Sequence, residues 1–119
     1  MTSTNAREVP DEALVLGTAI ANLRPLLDLT HAELHKIIGR DRKTIARSGI
    51  EPASPSGQLA TLLIRVYRSA HVLMGDDNGV IHWLNTRNKA FGRQPKELLF
   101  TTQGLVSVVS YLDAHRGKV

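Results

Sequence analysis

The chain has 119 residues, of which 42% are hydrophobic, and it carries a formal net charge of +4 with a pI near 9.9. This composition predicts a folded chain of one domain, or of two small lobes with a shared core. The absence of cysteine excludes disulfides, thiolate metal sites and cysteine nucleophiles. There is no export signal at the start and no apolar run near the roughly 20 residues that span a bilayer. We therefore expect a cytoplasmic protein without membrane contact.

The first elements in chain order are an arm and two helices. Residues 1–12 are expected to form a flexible arm. A helix follows from Asp11 to about Leu27, with apolar residues at helical spacing and a proline near its end. Thr30 is a good N-cap for the second helix, and Glu33, three residues later, completes a capping box. This second helix is expected to end at Gly39.

Two further helices are predicted in the middle of the chain. Asp41 caps a short helix that Gly49 closes. A longer helix begins at Pro55, carries a strong 3.6-residue apolar stripe and stops at Gly75. We place the first domain at residues 13–74 on this basis.

The last part of the chain, residues 75–119, is predicted to form a second domain of short helical pieces. Residues 76–79 are expected to form a turn, residues 80–86 a helix, and residues 88–92 a turn or short helix. Pro95 starts another short helix. Thr101 or Thr102 caps a final helix whose inward side chains are Leu105, Val108, Val109 and Leu112. No strand-like alternation occurs, so the predicted fold is all-α.

Residues 30–49 have the pattern of a helix-turn-helix, which would leave the outer face of the second helix free for the major groove of DNA. This segment contains five cationic side chains and two acidic ones, which gives it a local charge of +3. Side chains at the start of the second helix are placed to reach base edges, and those at the start of the first to reach phosphates. The predicted DNA-binding residues are Thr30, His31, Arg40, Arg42, Lys43, Thr44 and Arg47. The alternative is an ordinary helical hairpin with a solvated basic face.

The same segment resembles the Xre-type helix-turn-helix proteins. His35 and Ser48 depart from the family pattern, in which a small residue and a bulky residue are usual. The matching residues are Thr30, Glu33, Leu34, Ile38, Gly39, Thr44, Ile45 and Arg47.

A second motif, WLNTRNKAFGRQPKELL, occupies residues 83–99 and mixes apolar residues with helix breakers. Asn88 suits an Asx-type turn, Gly92 a backbone conformation that other residues resist, and Pro95 a helix start. We predict a bent helical lobe in which the large apolar side chains are buried and the surface is free for protein contacts. The residues expected to shape the lobe are Trp83, Leu84, Asn88, Phe91, Gly92, Pro95, Leu98 and Leu99.

This second motif resembles the toxin-binding domain of the Xre/MbcA/ParS antitoxins. Besides the lobe residues, the likeness includes Ala90, Thr101, Gly104, Val108, Leu112 and Gly117. The resemblance implies an antitoxin that neutralises a RES-type toxin, which consumes NAD or transfers ADP-ribose. It also implies a homodimer that binds operator DNA and represses its own operon. In such complexes the antitoxin's C-terminal end covers the toxin's active site, which here implies His115, Arg116, Gly117, Lys118 and Val119 as toxin-binding residues.

Other functions have little support in the sequence. His31 and His35 are four residues apart, but no third metal ligand is near them and a surface pair is expected. No nucleophile elbow, phosphate-binding loop or dinucleotide fingerprint is present, so we predict no catalytic residue, no cofactor and no metal. The alternative to an antitoxin is a plain transcriptional regulator whose C-terminal lobe dimerises.

Overall fold

The computed structural model describes residues 10–117, and in this range the protein is all-α, as predicted. Its seven helices are α1 (Asp11–Leu26), α2 (His31–Ile38), α3 (Arg42–Ser48), α4 (Pro55–Met74), α5 (Asp77–Leu84), α6 (Pro95–Leu98) and α7 (Thr102–Arg116). The only β-type pairing within residues 10–117 is one isolated bridge between Asn88 and Arg93. None of the described helices has both the length and the apolar character required to span a membrane.

The predicted capping of α2 and α3 is confirmed. The side chain of Thr30 accepts the N–H of Glu33 at 3.0 Å, and Glu33 Oε1 accepts the N–H of Thr30 at 2.9 Å. Asp41 Oδ1 accepts the N–H of Thr44 at 2.8 Å. These bonds satisfy N–H groups that have no partner inside a helix. Both short helices therefore start directly after the cap residues predicted from the sequence. They end at Gly39 and Gly49, also as predicted.

Helix α4 is the central element of the fold. It begins at Pro55 behind a Ser54 cap and ends at Gly75. Its buried face packs on α1, α2, α5 and α7. The buried side chains of both halves form one continuous apolar cluster, from Ile20 in α1 to Leu112 in α7. Because both halves of the chain bury their apolar faces on the same helix, neither has a separate core.

The turn predicted at residues 76–79 is wrong. Asp76 Oδ1 accepts the N–H of Gly79 at 2.7 Å, so this residue is the N-cap of α5 and the helix begins at Asp77. The hydroxyl of Tyr67 donates to Asp77 Oδ1 at 2.7 Å and fastens the start of α5 to α4. This hydrogen bond also raises the pKa of Tyr67. Asp76 is therefore an N-cap like Thr30, Asp41, Ser54 and Thr101, each of which accepts the N–H of the residue three positions later.

Two contacts join the α2–α3 half to the C-terminal half beyond the shared core. Lys96 Nζ in α6 lies 3.2 Å from Glu33 Oε2 in α2, and both side chains are largely buried. The backbone N–H of Thr30 and then the Lys96 ammonium group lower the pKa of Glu33. Lys36 Nζ lies 5.8 Å from the centre of the Phe100 ring, within range of a cation–π contact. Glu33 thus caps α2 and pairs with α6 at the same time.

Candidate functional site

Two surfaces carry the site residues predicted from the sequence. The first is the surface of the α2–α3 pair and the residues next to it in the chain, which contains all the predicted DNA-binding residues. Thr30, His31, Arg42, Lys43 and Arg47 are exposed there. Arg40 and Thr44 are half-buried. Most of the cationic side chains in this segment are therefore presented to solvent.

The charge on this surface comes from the arginine and lysine side chains. Arg42 Nη1 donates to His31 Nε2 at 3.2 Å, a bond that requires an unprotonated acceptor nitrogen. Desolvation and then the guanidinium groups of Arg24 and Arg42 lower the pKa of His31. His31 is therefore neutral near pH 7, and it orients the first side chain of α3 without adding charge. His31 and His35 are both exposed, as predicted.

A cleft of about 220 Å³ lies beside this surface, between α1, α2 and α3. Its floor is apolar and includes Leu34 and Ile45. Its charged lining consists of Arg24, Arg40 and Arg42, with His31, and no carboxylate among the described residues lines it. Residues 10–117 also bring together no group of three or more metal-ligating side chains. The charged side chains that line this cleft are therefore all cationic.

The second surface is on the C-terminal lobe, residues 77–117, where a tight loop follows α5. Asn88 holds this loop through three of its groups: its side chain accepts the N–H of Ala90 at 2.8 Å, its carbonyl accepts Gly92 N–H at 2.8 Å, and its own N–H donates to Arg93 O at 3.0 Å. The side-chain bond is the Asx-type turn predicted from the sequence. Gly92 has φ of +72°, a conformation that a β-carbon disfavours. Hydrogen bonds within the loop, to the backbone and to the Asn88 side chain, therefore hold its conformation.

Four rings lie together where this loop meets α7. The Trp83 ring stacks on Tyr111 with 6.1 Å between centroids, and the Phe91 ring tilts against Tyr111 at 5.0 Å. The centroid of the His115 ring lies 4.0 Å from that of Tyr111. Trp83, Phe91 and Tyr111 are half-buried and His115 is exposed, so the ring cluster covers the core and still contacts solvent. The side chain of Trp83 therefore both packs the lobe and forms part of its surface.

A polar network ties the last turns of α7 to α4. Ser69, which is 1% exposed, donates to Asp113 Oδ1 at 3.1 Å and accepts from Arg116 Nη1 at 3.2 Å. Asp113 also pairs with Arg65. Each polar group of the network has a partner, so a buried hydroxyl is tolerated in an apolar helix interface. The network holds the last turns of α7 against α4.

The other lobe residues lie mostly in the core, and the predicted tail is only partly described. Leu84, Pro95 and Leu99 are buried and Leu98 is half-buried. His115 and Arg116 are in the last turn of α7, and Gly117 is its C-cap. Lys118 and Val119, predicted as toxin-binding residues, lie outside the described residues. Of the described tail residues, His115 joins the ring cluster and Arg116 the polar network.

Sequence reasoning missed several residues of the ring cluster and the polar network, among them Tyr111 and Ser69. Tyr111 contacts all three other rings of the cluster. Its position one residue before the buried Leu112 gave a signal, because an aromatic beside the inward stripe of a helix lies at the edge of the core. Ser69 had no comparable signal, since a serine in a helix is usually exposed and its partner is 44 residues away.

Residues 69–118 match the protein family described as Antitoxin Xre/MbcA/ParS C-terminal toxin-binding domain. The matched segment starts inside α4 and includes the loop, the ring cluster, all of α7 and the polar network except Arg65. No curated protein matches the chain. The family match supports an antitoxin role with a toxin as the partner.

Proposed function

We propose that this chain is the antitoxin of a toxin–antitoxin pair, that its partner is a RES-type toxin acting on NAD, and that it represses its own operon as a DNA-binding homodimer. The observation that carries the proposal is the family match over residues 69–118. The exposed ring cluster beside the end of α7 supports it, because half-buried aromatic side chains are typical of protein interfaces. The first domain, residues 13–74, would bind the operator, and the second, residues 75–119, the toxin.

The antitoxin role is tested by co-expression with the protein encoded by the neighbouring gene. We expect growth inhibition by that protein alone, rescue by this chain, and a complex that copurifies at fixed stoichiometry. Loss of NAD in cells that express the partner alone would identify the RES type. A plain transcriptional regulator would give neither rescue nor a complex, and would still bind DNA.

Removal of residues 117–119 should weaken toxin binding about tenfold, because residues near the toxin's active site contribute to the interface. Deletion from residue 117 keeps Arg116 and its bond to Ser69, so the end of α7 stays attached to α4. Binding would be measured by calorimetry, with unfolding temperature as the check on stability. An unchanged affinity would contradict the role of the tail. The same deletion should leave operator binding intact.

Replacement of Arg42 and Lys43 by alanine should weaken binding to the operon's promoter DNA at least tenfold, since each base contact contributes about 1–3 kcal/mol. Both side chains are exposed at the start of α3. Lys89→Ala with Arg93→Ala is the matched control, because it removes the same charge from the other surface. Electrophoretic mobility shifts at two salt concentrations would measure the effect. Equal loss in both double variants would show only a general charge effect.

A further inference from the structure

We infer that the toxin docks on one particular face of the lobe, and that the part of the toxin that covers this face is acidic. The face consists of the ring cluster and the three cations of the neighbouring loop, and we name it the aromatic–basic face. Its members are Trp83, Arg87, Lys89, Phe91, Arg93, Tyr111 and His115. The inference rests on the proposed antitoxin function and adds to it the docking surface and the chemistry of the partner.

The rings of this face differ from the core beneath them in their exposure. Leu84, Leu99 and Leu112 in the core are at most 1% exposed, whereas Trp83, Phe91 and Tyr111, which pack against the core, are half-buried and His115 is exposed. Each ring is already oriented by its stack on Tyr111, so binding would order few additional torsions. Rigid, partly exposed aromatic side chains are the usual anchors of protein interfaces.

The cations of the loop are not used by the fold. Residues 85–93 contain three cationic side chains and no carboxylate. Arg87, Lys89 and Arg93 are all exposed, and none of them forms an ion pair with another residue in the range 10–117. Arg87 and Arg93 line one shallow groove with Glu97, whose Oε2 accepts the N–H of Gln94. The loop therefore presents an unbalanced positive charge next to the rings.

Three other cations in this half of the molecule are engaged. Arg65 pairs with Asp113, Arg116 donates to Ser69, and Lys96 pairs with Glu33. The contrast separates side chains that hold the helices together from side chains that are available to a partner. A positive surface of this kind increases the association rate of a negatively charged partner and helps to orient that partner in the complex.

The loop is also rigid enough to act as a fixed docking element. Within the loop, Asn88 accepts the N–H groups of Ala90 and Gly92 and donates its own N–H to the carbonyl of Arg93. A loop that is ordered before binding loses little conformational entropy in the complex. The face continues to His115 in the last turn of α7, so a partner on it would also lie beside the predicted toxin-binding tail. The toxin is for this reason the partner to which we assign the face.

The test is a pair of charge reversals in the full-length chain, measured against the purified toxin from the neighbouring gene. Arg87→Glu with Arg93→Glu should weaken toxin binding roughly tenfold or more and flatten its salt dependence. Arg68→Glu, compared with Arg87→Glu alone, is the control, because it reverses an exposed cation that lies outside the face and is not among the predicted DNA-binding residues. The control should change toxin affinity less than about twofold, since surface charges distant from an interface contribute little.

A second measurement uses Trp83, the single tryptophan of the chain. Labelled as 5-fluorotryptophan, it gives one ¹⁹F resonance, which should shift when unlabelled toxin is added and stay in place when promoter DNA is added. The inference would be overturned if the toxin binds the wild-type chain and the loop variant with equal affinity and does not shift the ¹⁹F resonance. The proposed antitoxin function would still stand in that case. Absence of any wild-type complex would remove both. Loss of DNA binding alone in the loop variant would assign the face to nucleic acid and contradict the inference.

Discussion

Replacement of Val108 by aspartate should destabilise the protein by about 4 kcal/mol or more, because it buries an unpaired charge. Val108 is 0% exposed and lies in the α7 face that packs on α4, among Val66, Leu105 and Leu112 in the continuous core. A typical domain is stable by only 5–15 kcal/mol, so most of the native stability would be lost. Chemical denaturation followed by circular dichroism measures the change.

Val106 provides the matched control in the same helix. It is 44% exposed and two residues from Val108, so Val106→Asp introduces the same charge at the same helical element without burying it. We expect a change of less than about 1 kcal/mol, as for most exposed substitutions. Similar losses for the two variants would mean that α7 does not pack as described. The pair would also show whether toxin binding depends on the integrity of α7.

Gly104→Ala should cost about 3 kcal/mol through overlap with the backbone of the preceding helix. A β-carbon at position 104 would overlap the carbonyl oxygen of Leu98, which cannot move without shifting α6. Gly104 N–H also donates to the Thr101 cap at 3.0 Å, so a shift of this residue would disturb the start of α7. The tight approach thus sets the angle at which α7 leaves α6. Thermal unfolding monitored by calorimetry would measure the loss.

The other end of α7 supplies the comparison. A β-carbon at Gly117 would meet its nearest neighbour, the carbonyl oxygen of Asp113, at 3.5 Å, which is ordinary van der Waals contact. Gly117 has φ of −68°, which any residue adopts. Gly117→Ala should therefore be neutral or stabilise by up to about 1 kcal/mol, because alanine restricts the unfolded chain. A loss as large as that of Gly104→Ala would contradict the steric explanation.

Local signals in the sequence were sufficient for most of the fold. The caps at Thr30, Asp41, Ser54 and Thr101 each accept an N–H three residues later, and these short-range bonds are visible as residue spacing. The inward stripe of α7 follows from the 3.6-residue period in the same way. Asp76 has the same cap geometry, but its resemblance to a turn rich in Asp, Asn and Gly led to the wrong prediction.

The features that depend on distant residues could not be predicted in this way. The bond between Ser69 and Asp113 spans 44 residues, and the stack of Trp83 on Tyr111 spans 28, by subtraction of their numbers. Sequence spacing carries no information about such pairs until the helices are packed. The motif around Trp83 identified the lobe, whereas the ring cluster, the free loop cations and the α7 network required the folded chain. The predicted DNA and tail residues still await the experiments above.

Helix α4 restricts the positions at which recombination between related genes can yield a folded protein. The family match begins at residue 69, within this helix, while its earlier turns bury Ala60 and Leu63 in the core shared with the N-terminal half. A recombination event that joined this lobe to a foreign N-terminal half at Gly75 would separate α7 from the surface on which it packs. Recombination that yields a folded protein should therefore occur upstream of the codon for Pro55, so that α4 and the lobe come from the same gene. Lys96 would then select, among the possible new partners, those that retain an acid at the position of Glu33.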